Sequence, residues 1–432
     1  MRIRAVLRTI HSMFITAIDL GSAYIKGIIA EQRKDGSLVL VKTIKRESKG
    51  IKKGEIVYPE ETVKGLFEVL SIIKQFDKKC LRNIVFGISG TRVQFHLSRA
   101  AISIPRPDFE ILSEDVDRVI QESMAIQIPA GWQIIHSFPR EFVIDGIEVE
   151  GTDVVGLSGK KLEANVVLIS AFSSVYRNFR RVTDLVLGKK GDFLGSVIFT
   201  PLASERATLT KSQKELGAVL LDIGYGTTGV AVFQDGRLLV AKVLPIGSGH
   251  ITNDLAVGLR CTILTAELIK IEYGNANARD VSVRDKLDMS QYEPELSSQT
   301  SLKFVAEIIE ARVREVFGLV QDELKSLGVF GKLPAGVVLV GGGAKLKGLA
   351  DIAREELKSP VKIGFPNTDE FEKAHSGLAE TDDPSYAAVC GLVLQRSDQT
   401  NKKYVARSFA HTPLDVNESW FKRIIRILRA NE

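Results

Sequence analysis

Three glycine-containing segments carry the residue types that phosphate chemistry requires. They are Asp19-Leu20-Gly21-Ser22 with Lys26 beyond it, Asp222-Ile223-Gly224-Tyr225-Gly226-Thr227-Thr228, and Gly341-Gly342-Gly343-Ala344. Backbone N–H groups hold a nucleotide phosphate when they converge without side-chain obstruction, and glycine turns between strands present such a concavity. In the first segment Gly21 and Ser22 would approach the phosphates, Asp19 would hold a hydrated Mg²⁺ from behind, and Lys26 would add positive charge. In the second, Gly224, Gly226, Thr227 and Thr228 would clasp from the opposite side, with Asp222 again placed for the metal. Each segment taken singly is also a tight hairpin turn in which Gly supplies positive φ and Asp caps the bend. A two-lobed clamp explains why the pattern recurs about 200 residues later; a chance pair of hairpins does not. The three glycines of the third segment let a flat base or ribose lie against the backbone, although a flexible strand-to-helix turn reads the same.

The elements that must position these turns follow from hydrophobic periodicity. Phe14 to Ile18 reads as a strand, Ile25 to Glu31 as its hairpin partner, Leu38 to Ile44 as a third strand after Asp35-Gly36, and Glu60 to Phe76 as a helix. Gly217 to Ile223 and Gly229 to Phe233 repeat the hairpin, again followed by a D-G turn at Asp235-Gly236, so the chain contains a diverged duplication. Between the copies, a strand at Asn83 to Ser89, a helix from Ser113 to Gln127 capped by Ser113, and strands over Trp132 to Ile144 make a small α+β unit. A long helix is expected from Leu302 to Leu327, packed on the second sheet, and a strand at Gly336 to Val340 leads into a helix over Leu349 to Leu357. Polar residues from Ser397 to Glu418 read as a linker.

Beyond it, Trp420, Phe421, Ile424, Ile425, Ile427 and Leu428 fall on one face of a helix, and Lys422, Arg423, Arg426 and Arg429 on the other. An apolar face beside a purely cationic one favours lying in an anionic lipid interface, with domain packing as the other reading.

At 432 residues the chain calls for at least two domains, and its 44% hydrophobic and 26% charged content is that of a soluble protein. A net charge of +5 is solvated surface rather than a nucleic-acid footprint. Cys80, Cys261 and Cys390 are too few and too scattered for a disulfide framework or a thiolate zinc site. No apolar run approaches the ~20 residues needed to span a bilayer. Met1 to Met13 lacks a secretory pattern and reads as an extension, with Met13 as a second possible start.

In order and spacing the three glycine segments resemble the phosphate-one, phosphate-two and adenosine motifs of the actin, sugar kinase and Hsp70 superfamily. Ala266 to Gly274 is similar to the helix whose Glu and Lys hold ribose and adenine there, which implies contacts from Glu267 and Lys270; an exposed i, i+3 ion pair is the alternative. The nucleotide-binding set implied also takes in Tyr24, Tyr225, Gly249 and Lys345, with ATP and Mg²⁺ as ligands. Within the superfamily the chain resembles the FtsA family of bacterial cell-division proteins. The likeness lies in Ser48-Lys49-Gly50-Ile51, Ile88-Ser89-Gly90, Pro139-Arg140-Glu141-Phe142, Gly156-Leu157-Ser158-Gly159, Pro201-Leu202-Ala203-Ser204 and Asp383-Pro384-Ser385-Tyr386.

That resemblance implies an α/β, actin-like two-lobed ATPase fold of duplicated RNase H-like units, with an inserted α+β domain in place of an actin subdomain and a C-terminal amphipathic helix. Its expected parts are subdomain 1A at 13–86 with 168–203 and 364–396, domain 1C at 87–167, 2A at 204–250 and 305–363, 2B at 251–304, a linker at 397–418 and the membrane-targeting helix at 419–432. It implies a protein that polymerises on the cytoplasmic face of the membrane at the division site and tethers the tubulin-like FtsZ there. A sugar or acetate kinase on the same fold is the rival reading, and an Hsp70-like chaperone is disfavoured because no β-rich peptide-binding domain follows. Many superfamily members carry a second carboxylate where this chain has Gly229, so tight ATP binding with slow or no hydrolysis is expected. Glu205 is a candidate for positioning a water, or else a glutamate at a helix start.

Overall fold

The computed structural model describes residues 13–149, 153–187, 197–294, 299–373 and 379–401. The chain opens with β1 (Met13–Leu20), β2 (Tyr24–Gln32) and β3 (Leu38–Glu47), an antiparallel meander. A small ribbon of β4 (Ile51–Lys52) and β5 (Glu55–Ile56) leads into α1 (Pro59–Phe76), and β6 (Ile84–Ile88) returns parallel to β1. Pro59 sits at the start of α1, where its missing N–H costs nothing. The chain then makes β7 (Val93–Ser103), α2 (Ser113–Ser123), β8 (Trp132–Ile144), β9 (Ile147–Val149) and β10 (Lys161–Phe172), which form a four-stranded sheet in the order β7-β10-β8-β9. Next come α3 (Ser173–Leu187), β11 (Val197–Phe199), α4 (Thr200–Thr208) and α5 (Lys211–Leu216).

The second lobe holds β12 (Ala218–Ile223), β13 (Thr228–Gln234), β14 (Arg237–Leu244), α6 (Ser248–Leu259) and α7 (Ile263–Tyr273). The ribbon β15 (Lys286–Asp288) with β16 (Gln299–Ser301) precedes α8 (Leu302–Ser326), β17 (Gly336–Val340), α9 (Leu349–Leu357) and β18 (Val361–Ile363). Finally β19 (Phe371–Lys373) joins the first sheet beside β3, and α10 is Ala387–Asn401.

The two large sheets have one plan. The first runs β11-β6-β1-β2-β3-β19 and the second β14-β13-β12-β17-β18, so each sets a three-strand meander beside two parallel strands. The duplication expected from the hairpins is therefore a duplication of whole sheets. Both faces of the first sheet are buried, which is why β1 reads as a mostly apolar run instead of alternating, with buried Thr16 hydrogen-bonded to the Cys80 carbonyl. Ile18 and Leu20 pack in one cluster with Val63, Leu66 and Ile73 of α1, while Ile15 and Ala17 pack in another with Val389, Leu392 and Val393 of α10. On the second sheet Val219, Leu221 and Ile223 pack with Ile309, Val313, Phe317 and Val320 of α8, whereas Leu220 and Val338 join the first lobe's cluster.

Four expectations change. The strand expected at Asn83 to Ser89 as part of the inserted unit is β6, which lies between β1 and β11 in the first sheet. Helix α2 ends at Ser123, and its cap is the Asp115 carboxylate, which accepts the Leu112 N–H at 3.0 Å; Ser113 is already helical. Trp132 to Ile144 is one long strand. The stretch from Ser397 continues α10 to Asn401, with Ser397 buried, because the apolar side of that helix carries its polar end along. The rest of the expected linker, the 419–432 helix and Met1 to His11 with Ser12 lie outside the described residues.

Candidate functional site

The bend between β1 and β2 and the bend between β12 and β13 meet face to face. A Cβ placed on Gly226 would lie 2.8 Å from Ser22 Oγ and 3.0 Å from the Lys53 nitrogen, so only glycine allows this approach. Ser22 Oγ in turn accepts the Gly54 N–H at 3.1 Å. Between the bends opens a cavity of about 430 Å³. Gly21, Ser22, Tyr24 and Lys26 line it from the first lobe, and Gly224, Tyr225, Gly226, Thr227, Glu267 and Lys270 from the second. Gly341, Gly342, Gly343 and Lys345 close a third side.

Asp19 and Asp222 stand at the ends of β1 and β12 and also line the cavity. Burial, partly offset by Lys26 and reinforced by Asp222, lifts the Asp19 carboxyl to about 6. Burial raises Asp222 as well, against the hydroxyl hydrogen bond from Ser204 and the charge of Lys26. Lys26 donates to the Ser385 carbonyl, and burial lowers its pKa despite both carboxylates. Two half-buried carboxylates on the cleft wall that resist ionisation make a place where a divalent cation would be welcome. Among the described residues no three His, Cys, Asp or Glu side chains gather as a complete metal cage. A cation here would keep waters and phosphate oxygens as its other ligands.

The pair on α7 is a buried network rather than a surface ion pair. Lys270 Nζ lies 2.7 Å from Glu267 Oε2 and donates to Thr252 Oγ1 at 2.8 Å and to the Ser248 carbonyl at 3.2 Å. Lys270 is only 8% exposed, and its ammonium sits over the Tyr225 ring. Across from it, the glycine turn divides its work. Gly341 has φ +85° and approaches Asp222 and the Ile223 backbone, and Gly343 packs on Ile223. Gly342 faces open space, where a base or ribose could lie flat.

Some expected residues lie elsewhere. Thr228 is buried in β13 and donates to the Ile246 carbonyl at 2.8 Å. Gly249 lets α6 begin against the Tyr225 ring. Neither lines the cavity. Glu205 is buried in α4, ion-paired with Lys214 and likewise outside the lining. The cavity also takes in Thr200 and Ser248, first residues of α4 and α6, and Ser385 and Ala388 around the start of α10. Helix starts present unsatisfied N–H groups to an anion. Thr200-Pro201 and Asp383-Pro384 carried a visible signal in the sequence, namely proline at a helix start. Lys45, Gly54 and Ser89 reach the cavity without any such signal.

Two sheets of one order, paired glycine bends closing on a single cleft and a separate α+β insert define the actin-like fold. A chain of the PilM–PilN type IV pilus biogenesis complex has this fold (TM-score 0.59, 16% identity, 89% of this chain and 98% of that one). So has MreB5 of Spiroplasma citri bound to ADP (TM-score 0.51, 12% identity, 90% and 99%). The profile for cell division protein FtsA matches residues 219–391, and that for the SHS2 domain inserted in FtsA matches 90–170. The chain is 32% identical to cell division protein FtsA of Pseudomonas aeruginosa, over 82% of this chain and 83% of the relative. It is 30% identical to that of Bacillus subtilis strain 168, over 87% and 82%. The chain belongs to the FtsA family of cell division proteins.

Proposed function

We propose that the cleft binds ATP with Mg²⁺ and that the protein polymerises and tethers FtsZ to the cytoplasmic face of the membrane at the division site. The observation that supports this most is the close approach of the bend at Gly226 to the bend at Ser22, beside one cavity of about 430 Å³ with glycine backbone on both sides. Phosphates would meet the N–H groups of the two bends and the starts of α4, α6 and α10. Asp19 and Asp222 would hold Mg²⁺ through water, and Glu267, Lys270 and Gly342 would receive the nucleoside. The ADP named with the MreB5 structure fits this reading. Tight binding with slow or no hydrolysis is part of the proposal. Gly229 lines the cleft where a second carboxylate would act, and a Cβ there would sit 3.2 Å from Pro201 Cγ. Glu205, tied to Lys214, is left out of the proposed set.

Attachment is assigned to residues 419–432. Each of the four basic side chains near an anionic leaflet contributes about 1 kcal/mol beside the burial of Trp420 and Phe421, so binding is reversible and weakens in salt. The test is co-sedimentation of the full chain, and of one ending at residue 418, with anionic liposomes at low and high salt. Loss of binding on truncation is expected. Equal sedimentation of both forms would contradict the tether.

A further inference from the structure

The row of charges that crosses the first sheet below its bend is unbalanced. Asp19 on β1 pairs in register with Lys26 on β2, and Lys26 with Lys45 on β3, so the three side chains leave one face of three adjacent strands. All three line the cleft. Lys26 is compensated, since its ammonium reaches the Ser385 carbonyl and feels Asp19, Asp222 and Asp383. Lys45 has no such partner. Its Nζ sits 4.1 Å from the centroid of the Tyr24 ring, and among the described residues no carboxylate is within ion-pair distance. Like charges directly opposite on antiparallel strands repel, and while Asp19 and Asp222 offset Lys26, no carboxylate among the described residues pairs with Lys45.

A solvated surface lysine is the ordinary explanation for an exposed ammonium, and Lys45 is exposed. Its setting differs in two respects. The ammonium sits over the face of the Tyr24 ring, a cation–π contact that favours this position for the head group. The row also belongs to the first lobe, whereas Glu267, Lys270 and Gly342 come from the second, with the two bends where the lobes meet. A nucleotide with its base on the second lobe and its phosphates between the bends would share the cavity with this row, which lines its first-lobe wall.

We propose that Lys45, steadied by Tyr24, is a specificity-determining residue that pairs with the terminal phosphate of a nucleoside triphosphate and makes the cleft prefer tri- to diphosphate. This rests on the nucleotide reading of the cleft given above. An anion between Lys26 and Lys45 turns their repulsion into two charge-assisted contacts. A diphosphate is one group shorter and leaves Lys45 in water. Because Lys45 is exposed, its contact is worth about fivefold to tenfold in affinity, no more.

The experiment measures affinities of the full chain for ATP and for ADP, with Mg²⁺, by competition against a fluorescent adenine nucleotide. Wild type, Lys45→Gln and Lys45→Arg are compared, with melting temperatures as a check on folding. For Lys45→Gln, ATP affinity is expected to fall about fivefold to tenfold while ADP affinity stays within about twofold; Lys45→Arg is expected to keep the preference for ATP. If Lys45→Gln binds both nucleotides as wild type does, or loses both equally, the role for Lys45 is overturned while the cleft reading stands. If wild type binds neither, the cleft reading itself is overturned.

Discussion

Asp19 shows how a single residue couples ligand chemistry to stability. Its carboxyl titrates near 6 in the folded protein against an ordinary 3.8, with burial as the main cause. The folded state therefore holds the proton more firmly than the unfolded state, and this contribution favours folding at low pH and is lost as pH rises from about 4 through 6. At one pKa unit per 1.4 kcal/mol, the ionised group costs on the order of 3 kcal/mol at neutral pH, less whatever cleft water screens. A cation beside it removes that cost. We expect Asp19→Asn, without nucleotide, to melt a few degrees above wild type at pH 7.5 and close to it at pH 4. With Mg²⁺ and ATP the order should reverse, because the variant gains less from the ligand. Thermal melts at the two pH values, with and without ligand, check this; a variant that melts below wild type at pH 7.5 without ligand would contradict it.

At the scale of elements, α4 and α10 decide the geometry of the cleft's inner wall. They touch so closely that a Cβ on Gly391 would lie 1.7 Å from the Ala203 carbonyl oxygen. One helix carries Ser204, which bonds Asp222, and the other begins beside Ser385, which receives Lys26. Gly391→Ala is expected to force the helices apart, costing about 1–3 kcal/mol of stability and weakening nucleotide binding as well. Denaturant unfolding and nucleotide titration of the variant test this, and wild-type values for both would contradict it. The same contact marks what the sequence could and could not disclose. Asp19, Gly21, Asp222 and Gly224 were legible because each bend's chemistry is local and the pattern occurs twice. Thr228 adjoins the second bend in sequence but points into the protein by strand alternation, and Gly249, at the start of α6, packs under the Tyr225 ring instead of facing the cleft. Thr200, Ser248 and Ser385 reach the cleft only through helix packing across long stretches of chain. The end of α10 was hidden because its polar composition imitates a linker, while buried Ser397 shows the helix still packed.

For the whole molecule, two sheets of one order turn two modest hairpins into a clamp, and neither lobe alone contains the site. The first supplies Asp19, Ser22 and Lys26, the second Asp222, Gly226 and Lys270, and the bends are held in contact through Ser22 and Gly226. The inserted sheet of β7 to β10 stands apart from this duplication and contributes none of those residues. Calorimetric titration of the full chain with ATP in the presence of Mg²⁺ addresses the clamp most directly. One saturable site per chain, of micromolar affinity or tighter, is predicted. No saturable heat up to millimolar ATP, in protein that melts cooperatively, would contradict it.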